Sequence, residues 1–362
     1  MKVVFRVDAS IDIGNGHVMR CLTLADALRQ RGAECRFICR EHMGNLLAYI
    51  RDRGFDVCKL PPCEATTTGD ELRPLYATWL GVDWASDAEQ TLAGLDGTIV
   101  DWLVVDHYAL DARWEGRVRP AFRRLMVIDD LADRHHDCDL LLDQNLGRDA
   151  ADYRTLVPLQ SVLLVGEQYA LLRPEFAALR SYSLARRVHP SLKHILITMG
   201  GIDKDNATGN VLSALSTCQL PADCQITTVM GPHAPWLASV RAQAAIMRWP
   251  TDVKVNVNNM AHLMADCDLA IGAAGSTSWE RCALGVPTFL AVLAENQKAA
   301  AKAITDRGAA EVVFPSEALH GTLQAQIQRL LDNPAYLQSL SENAAAICDG
   351  QGVARVLTSL LS

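Results

Sequence analysis

Much is narrowed by what the chain does not contain. Its 362 residues hold no apolar run near the roughly 18 needed for a membrane span. The amino terminus enters an apolar alternation directly, without the hydrophobic region of a secretory signal. None of the eleven cysteines forms a C-x-x-C pair. Cys35 and Cys39 have no second pair to complete a zinc site, so the thiols are expected to be reduced, mostly buried and cytoplasmic. No H-E-x-x-H, EF-hand loop, G-x-S-x-G elbow or G-x-G-x-x-G fingerprint occurs, which removes the signatures of zinc proteases, calcium loops, α/β-hydrolases and ordinary dinucleotide folds. Positive charge is also short, with 34 basic against 42 acidic residues and a net charge of −8. That argues against a nucleic-acid binder, though not against a local basic pocket.

What is present is an ordinary globular balance, 49% hydrophobic and 21% charged, at a length that predicts two domains. The first half alternates strand-like and helix-like segments, beginning with Val3 to Asp8. Buried-looking strands end in polar clusters at Asp106-His107-Tyr108, Asp129-Asp130 and Asp143-Gln144-Asn145. The second half repeats the pattern from His194 onward, and its remainder beyond residue 323 reads as helix. Glycine-rich strand-to-helix turns occur in both halves. This is an α/β class in which ligands are expected at the carboxyl ends of the strands. The joint is expected over 174–193, which holds Pro174, Pro190 and the pair Arg186-Arg187. The stretch from Cys63 to Asp83 is irregular, polar at first and then aromatic.

Two turns carry the candidate chemistry. In Gly14-Asn15-Gly16-His17-Val18-Met19-Arg20 a strand passes through glycines into a helix. Glycine permits positive φ and close approach of a ligand. His17 there can move a proton near neutral pH. A plain first βα turn with a surface histidine fits the same residues. In Gly272-Ala273-Ala274-Gly275-Ser276-Thr277-Ser278-Trp279-Glu280, small residues and hydroxyls precede a helix, a natural seat for a diphosphate. Glu280, one turn on, could accept the hydroxyls of a ribose, although Thr277 to Glu280 is also the spacing of a capping box. Gly200-Gly201 closes another strand, as a nucleotide contact or as a plain loop. Tyr108 could position a sugar or a water, or be a packed rim residue. Asp129-Asp130 and His135-His136 are poor metal chelates, because adjacent residues on a loop diverge.

Taken in order, these motifs resemble one family. Gly14-x-Gly16-His17-x-x-Arg20, Asp106-x-Tyr108, Ile128-Asp129-Asp130-Leu131-Ala132 and Leu171-Leu172-Arg173-Pro174-Glu175-Phe176 carry the resemblance in the first half. Gly200-Gly201-x-Asp203, Gly275-Ser276-Thr277-x-Trp279-Glu280 and Glu295-Asn296-Gln297 carry it in the second. The family is the UDP-2,4-diacetamido-2,4,6-trideoxy-β-L-altropyranose hydrolases of pseudaminic acid biosynthesis, whose wider relatives are the MurG-type GT-B glycosyltransferases.

The resemblance implies two Rossmann-like domains facing across a cleft. Residues 1–173 would form the sugar-facing, catalytic domain, 174–193 a linker and 194–340 the UDP-binding domain. The last helix, 341–362, would return to the first domain. His17, Tyr108 and Asn296 are then the candidate catalytic residues, with His17 as general base or as orienter of water and substrate. Gly14, Gly16, Arg20, Asp106, Arg173, Gly200, Gly201, Ala274, Gly275, Ser276, Thr277, Glu280 and Gln297 are candidates for substrate binding. The implied reaction hydrolyses the bond between the anomeric carbon and the phosphate oxygen with inversion. It requires no metal or cofactor and no nucleic-acid or membrane partner, and a monomer suffices. A glycosyltransferase of the same fold, a non-catalytic nucleotide-sugar binding module and a 2-epimerase are the competing readings.

Overall fold

The computed structural model describes residues 1–62, 76–314 and 319–361. Most of the aromatic end of the irregular stretch, from Tyr76, is therefore described, and its polar beginning lies outside the described residues. The chain forms two compact units, Met1–Leu171 with Gly352–Ser362, and Leu172–Gln351.

The first unit is built on seven strands: β1 (Lys2–Val7), β2 (Glu34–Arg40), β3 (Asp56–Leu60), β4 (Val100–Asp106), β5 (Phe122–Ile128), β6 (Leu140–Asp143) and β7 (Val162–Val165). They pair in the order β3-β2-β1-β4-β5-β6-β7, all parallel. Strands covered on both faces need apolar residues on both, which is why these segments read as apolar runs. Phe5, Val7 and Val104 face one core with Val18, Leu22 and Leu28 of the helix Gly16–Gln30. Val4, Leu103 and Val105 face the other, with Trp114 and Tyr153. The closing helix Gly352–Leu361 places Val356 and Leu360 in the first of these cores. Trp102 Nε1 donates to Leu360 O at 3.2 Å.

The second unit has six strands: β8 (His194–Thr198), β9 (Gln225–Met230), β10 (Thr251–Val255), β11 (Leu269–Ala273), β12 (Thr288–Ala291) and β13 (Ala310–Phe314). Their order is β10-β9-β8-β11-β12-β13, again all parallel. Each sheet reverses direction beside its first strand, at β1/β4 and at β8/β11. These are the topological switch points, where the carboxyl ends of adjacent strands leave room for a ligand.

Three features depart from the reading of the sequence. The stretch expected as a linker contains a 13-residue helix, Pro174–Arg186, with proline at its first turn. Its arginines are bonded to backbone carbonyls. Arg180 donates to the carbonyls of Ala283, Ala345 and Cys348, and Arg187 to those of Met264, Ala265, Cys267 and Leu284. Several of those carbonyls end helices, where cations are favoured. The strands β7 and β13 were not anticipated. The terminal region expected as one helix over 341–362 is divided between Pro334–Ile347 in the second unit and Gly352–Leu361 in the first. Among the described residues no helix is long and apolar enough to cross a membrane.

Beneath the end of β1 lies a fully buried charge cluster. Arg6 donates to Asp8 at 2.7 Å and to Asp87 at 2.6 Å, and Arg40 donates to Asp87 at 2.5 Å. Trp114 Nε1 adds a bond to Asp87 at 3.0 Å. Two cations and two anions balance, so neither sign is left alone in a poorly solvated interior. Asp87→Ala breaks that balance and leaves two arginines sharing one carboxylate. We expect a loss of about 3–5 kcal/mol from the first unit in denaturant titrations followed by tryptophan fluorescence. A loss below about 1 kcal/mol would show that water compensates the freed charges.

Candidate functional site

The first centre is assembled at the β1/β4 switch point. After β1 the chain turns through Gly14, whose φ of +78° is strained for any side chain, and whose N–H donates to Ser10 O at 2.8 Å. Gly16 then opens the helix, and His17 is its second residue. Arg20 follows one turn later on the same face. Asp106 is the last residue of β4, in register with Val7 at the end of β1.

These three side chains form one hydrogen-bonded group. His17 Nδ1 lies 2.6 Å from Asp106 Oδ1. Arg20 grips the same carboxylate with two bonds, Nε to Oδ2 at 2.6 Å and Nη2 to Oδ1 at 2.7 Å. Burial opposes the charge on Asp106, but Arg20 and then His17 outweigh it and hold the carboxyl far below the usual range. Asp106 is therefore an anion at every working pH. Its favourable pairing with His17 has a proton on Nδ1, which leaves Nε2 as the nitrogen free to exchange a proton elsewhere. Among the described residues nothing hydrogen-bonds to Nε2.

Arg20 extends the group to Asp130 at 2.8 Å, and Tyr108 OH donates to the same Asp130 at 2.6 Å. The Tyr108 ring stands edge-on to His17, 4.6 Å between centroids, and Trp79 stacks on Tyr108 at 5.5 Å. Burial and Asp130 push the Tyr108 phenol well up, so it stays protonated. Its hydroxyl is committed to Asp130, and what it presents to His17 is its ring. Asp129 pairs with Arg134 at 2.9 Å, and His136 Nδ1 lies 2.6 Å from Glu115.

The second centre is at the β8/β11 switch point. β11 ends in Gly272-Ala273, and Ala274 bonds to Ala291 O at 2.9 Å. Gly275 follows, then Ser276, which is exposed, and Thr277, which opens the helix Thr277–Ala283. The capping box does not form: the helix has no side-chain cap. Glu280 instead lies part-buried, 17% exposed, 3.8 Å from Arg173 Nη2. Burial pushes its carboxyl up to about 7, against the pull of Arg173. Arg173 itself pairs more closely with Glu175, at 2.9 Å. Gln297 approaches the same loop, with Nε2 near Gly275 and Oε1 accepting from Leu293 N–H at 2.9 Å. Asn296, beside it, is exposed. Gly200, with φ of +92°, and Gly201 follow β8, and the Asp203 side chain caps the helix Ala207–Ser216 through Ala207 and Thr208.

Sequence reasoning missed Arg281. It is 1% exposed and lies under the loop, donating to Ala273 O, Ser278 Oγ and Thr277 Oγ1. Among the described residues no carboxylate lies within ion-pair distance of it, and burial lowers it to about 10. Gly272 makes room for it: a Cβ there would sit 2.6 Å from Arg281 Nη1. The signal was its place directly after Glu280, but a basic residue in a helix ordinarily reads as solvated. The sequence shows Asp130 as half of an acidic pair and as part of a family motif, without a site role, and Trp79 as part of an irregular stretch.

Residues 195–354 match the glycosyltransferase family 28 C-terminal domain. Among characterised and uncharacterised proteins, the chain is 25% identical to an uncharacterized protein of Methanocaldococcus jannaschii, over 82% of this chain and 56% of that one. It is 31% identical to the spore coat polysaccharide biosynthesis protein SpsG of Bacillus subtilis, over 53% of this chain and 56% of that one. The chain thus spans little more than half the length of these two relatives. It is 26% identical to the UDP-2,4-diacetamido-2,4,6-trideoxy-β-L-altropyranose hydrolase of Campylobacter jejuni, over 85% of this chain and 97% of that one. Among solved structures, MurG of Acinetobacter baumannii superposes with a TM-score of 0.68 at 15% identity, covering 99% of both chains. The UDP complex of MnaA from S. aureus superposes with a TM-score of 0.62 at 12% identity, covering 98% of this chain and 94% of that one. Motifs, domain match and paired parallel sheets converge: the chain has the MurG-like GT-B fold, its second half matches a glycosyltransferase family 28 C-terminal domain, and along most of its length it resembles the UDP-diacetamido-trideoxy-altropyranose hydrolases.

Proposed function

We propose that the protein is a UDP-sugar hydrolase. The second unit would hold UDP, and the first would direct water onto the anomeric carbon of a 2,4-diacetamido-2,4,6-trideoxy hexose. The observation that carries this reading is the His17–Asp106 pair: an imidazole whose inner nitrogen is bound to a permanent anion and whose outer nitrogen has no hydrogen-bond partner among the described residues. The likeness to the Campylobacter hydrolase along most of both chains supports the choice of substrate.

In this mechanism water attacks the anomeric carbon and gives its proton to His17 Nε2. The bond from that carbon to the phosphate oxygen breaks, and the electron pair leaves with UDP. Attack opposite the leaving group inverts the anomeric centre. Asp106 stabilises the imidazolium that forms, so the base strengthens as the reaction proceeds. UDP is a good leaving group, and its developing charge needs fixed donors rather than a proton. Backbone at Gly200, Gly201 and Gly275, with Ser276 and Thr277, would supply these, and Glu280 would accept the ribose hydroxyls. Arg281, donating to Thr277 Oγ1, turns that hydroxyl outward as a donor. No step calls on a metal or an organic cofactor.

The match to a glycosyltransferase domain supports a second reading, in which the same base deprotonates an acceptor alcohol. Incubation with the UDP-sugar alone, followed by proton NMR of the anomeric signals, separates the two. We expect UDP and free sugar of inverted configuration without any acceptor. UDP release only after an alcohol is added would establish the transferase, and binding without turnover would leave a binding module.

His17→Asn should lower turnover by about 10²-fold or more while UDP affinity stays near wild type. Turnover within about threefold of wild type would remove His17 from the mechanism. Glu280 carries a third expectation. Because its carboxyl is raised to about 7, the ionised form that accepts ribose hydroxyls appears only as pH rises through that value. Calorimetry with UDP should show affinity increasing from about pH 6 to 8, and Glu280→Gln should be weaker and rise less steeply, retaining only the part due to ionisation of the terminal phosphate of UDP at about pH 6. An unchanged profile in the variant would assign Glu280 to the fold alone.

A further inference from the structure

Beside the first centre lies a buried group that the mechanism above does not use. Asp129, Asp143 and Tyr153 are all fully buried. Tyr153 OH lies 2.8 Å from Asp143 Oδ2 and 3.0 Å from Asp129 Oδ2. A phenol has one proton to give. Two ionised carboxylates cannot both be satisfied by it, and the second contact would set two lone pairs against each other in a site closed to water. One of the two carboxyl groups must therefore hold a proton and donate it to the phenol oxygen.

The surroundings decide which. Asp129 faces Arg134 at 2.9 Å and accepts the Ala132 N–H at 2.8 Å, the environment of an anion. Asp143 accepts the backbone N–H and the side-chain amide of Asn145 on Oδ1, both at 2.8 Å. Among the described residues its Oδ2 meets only the Tyr153 oxygen and, at 3.8 Å, the half-buried Arg148. The other charges around it, Asp129 and Asp130, are of its own sign, while Arg134 and His136 act on Asp129. Burial first and Asp130 second push the Asp143 carboxyl up to about 7, whereas Asp129 is lowered.

We propose that Asp143 is a neutral carboxylic acid in the working protein, donating its proton to Tyr153, and that in this form it is a positioning residue for the His17 centre. The link is Asn145, whose amide nitrogen donates to Asp143 Oδ1 at 2.8 Å and to Asp130 Oδ1 at 2.9 Å. Asp130 in turn holds Tyr108 and Arg20. Ionising Asp143 would add a second negative charge to a bridge held by one amide and would reverse the Asp143–Tyr153 bond. Only this last link rests on the function proposed above; the proton on Asp143 does not.

Infrared spectra of the full chain across about pH 5 to 9 test the proton directly. The wild type should show a protonated-carboxyl C=O band that disappears as pH rises. Asp143→Asn should remove it, while Asp129→Asn should leave a protonated carboxyl at Asp143. All of these spectra are recorded on a Glu280→Gln background, which removes the other carboxyl raised to about 7. A band that survives in Asp143→Asn, or that is lost in Asp129→Asn instead, overturns the assignment. Should Asp143→Asn not fold, Tyr153→Phe gives the same answer: removal of the acceptor must shift the band, and an unmoved band overturns the proposal. For the positioning link, wild-type UDP release should fall on the alkaline side as Asp143 ionises, and Asp143→Asn should lack that limb. A limb retained in the variant overturns the link. Absence of UDP release in the wild type would count against the hydrolase reading and leave the infrared result standing.

Discussion

A single carboxylate, Asp106, organises the first unit's centre. It is shut off from water, and taking a charge out of water is costly unless hydrogen bonds and counter-charges replace the lost solvent. Arg20 provides both in a two-pronged grip, and His17 fills what remains. The order of strength matters. Arg20 fixes the anion permanently, so the His17 contact is free to serve another end, the choice of tautomer. The arginine also reaches Asp130, and Asp130 reaches Tyr108, so the ring beside the imidazole is set by the same chain of bonds. Helix, strand and loop are registered to one another at hydrogen-bond tolerance rather than by apolar packing alone.

The two units handle charge differently at equivalent places in their sheets. At the β1/β4 switch point every cation has its carboxylate. At the β8/β11 switch point Arg281 is buried against neutral oxygens. A buried cation without a counter-ion is unfavourable, and burial accordingly lowers its affinity for its proton. On the proposed reading this asymmetry fits the substrate. The sugar is neutral and asks for a positioned base, whereas the diphosphate brings two negative charges of its own and would complete the pairing that Arg281 lacks.

The architecture was legible because parallel strands with both faces covered must be apolar throughout, and because their ends break abruptly into polar clusters. Asp106 was legible from the polar end of its strand and His17 from the glycine turn at a helix start, whereas Arg20 was a candidate only through the family resemblance. Their mutual contact was not, since 89 residues separate His17 from Asp106 and only the pairing of β1 with β4 brings them together. The strand β7, four residues long, and β13, five residues long with Glu311 in second place, were too short or too interrupted to stand out. Over 174–193 the local rule failed outright. Prolines and paired arginines resemble a mobile joint, yet Pro174 begins a helix and the arginines satisfy carbonyls inside the second unit. The spacing from Thr277 to Glu280 misled in the opposite sense, offering a cap that the helix does not use.

The acidic strand ends share one constraint. β4, β5 and β6 are neighbours in the sheet, about 4.8 Å apart as paired strands are. Each ends at or beside an aspartate, so carboxyl groups are brought side by side along one edge. Repulsion at that spacing in a dry interior must be relieved at each member separately. Asp106 has Arg20, Asp129 has Arg134, and Asp130 shares Arg20 and accepts from Tyr108. Asp143 comes last in the row, and among the described residues its nearest cation is Arg148, 3.8 Å away and partly exposed. A proton is the remaining way to remove its charge, and Tyr153 is placed to accept the bond that the proton makes. The neutral Asp143 and the anionic Asp106 are thus two answers to one problem of sheet geometry. Asn145 and Asp130 connect them, which makes the protonation of the one a condition on the arrangement of the other.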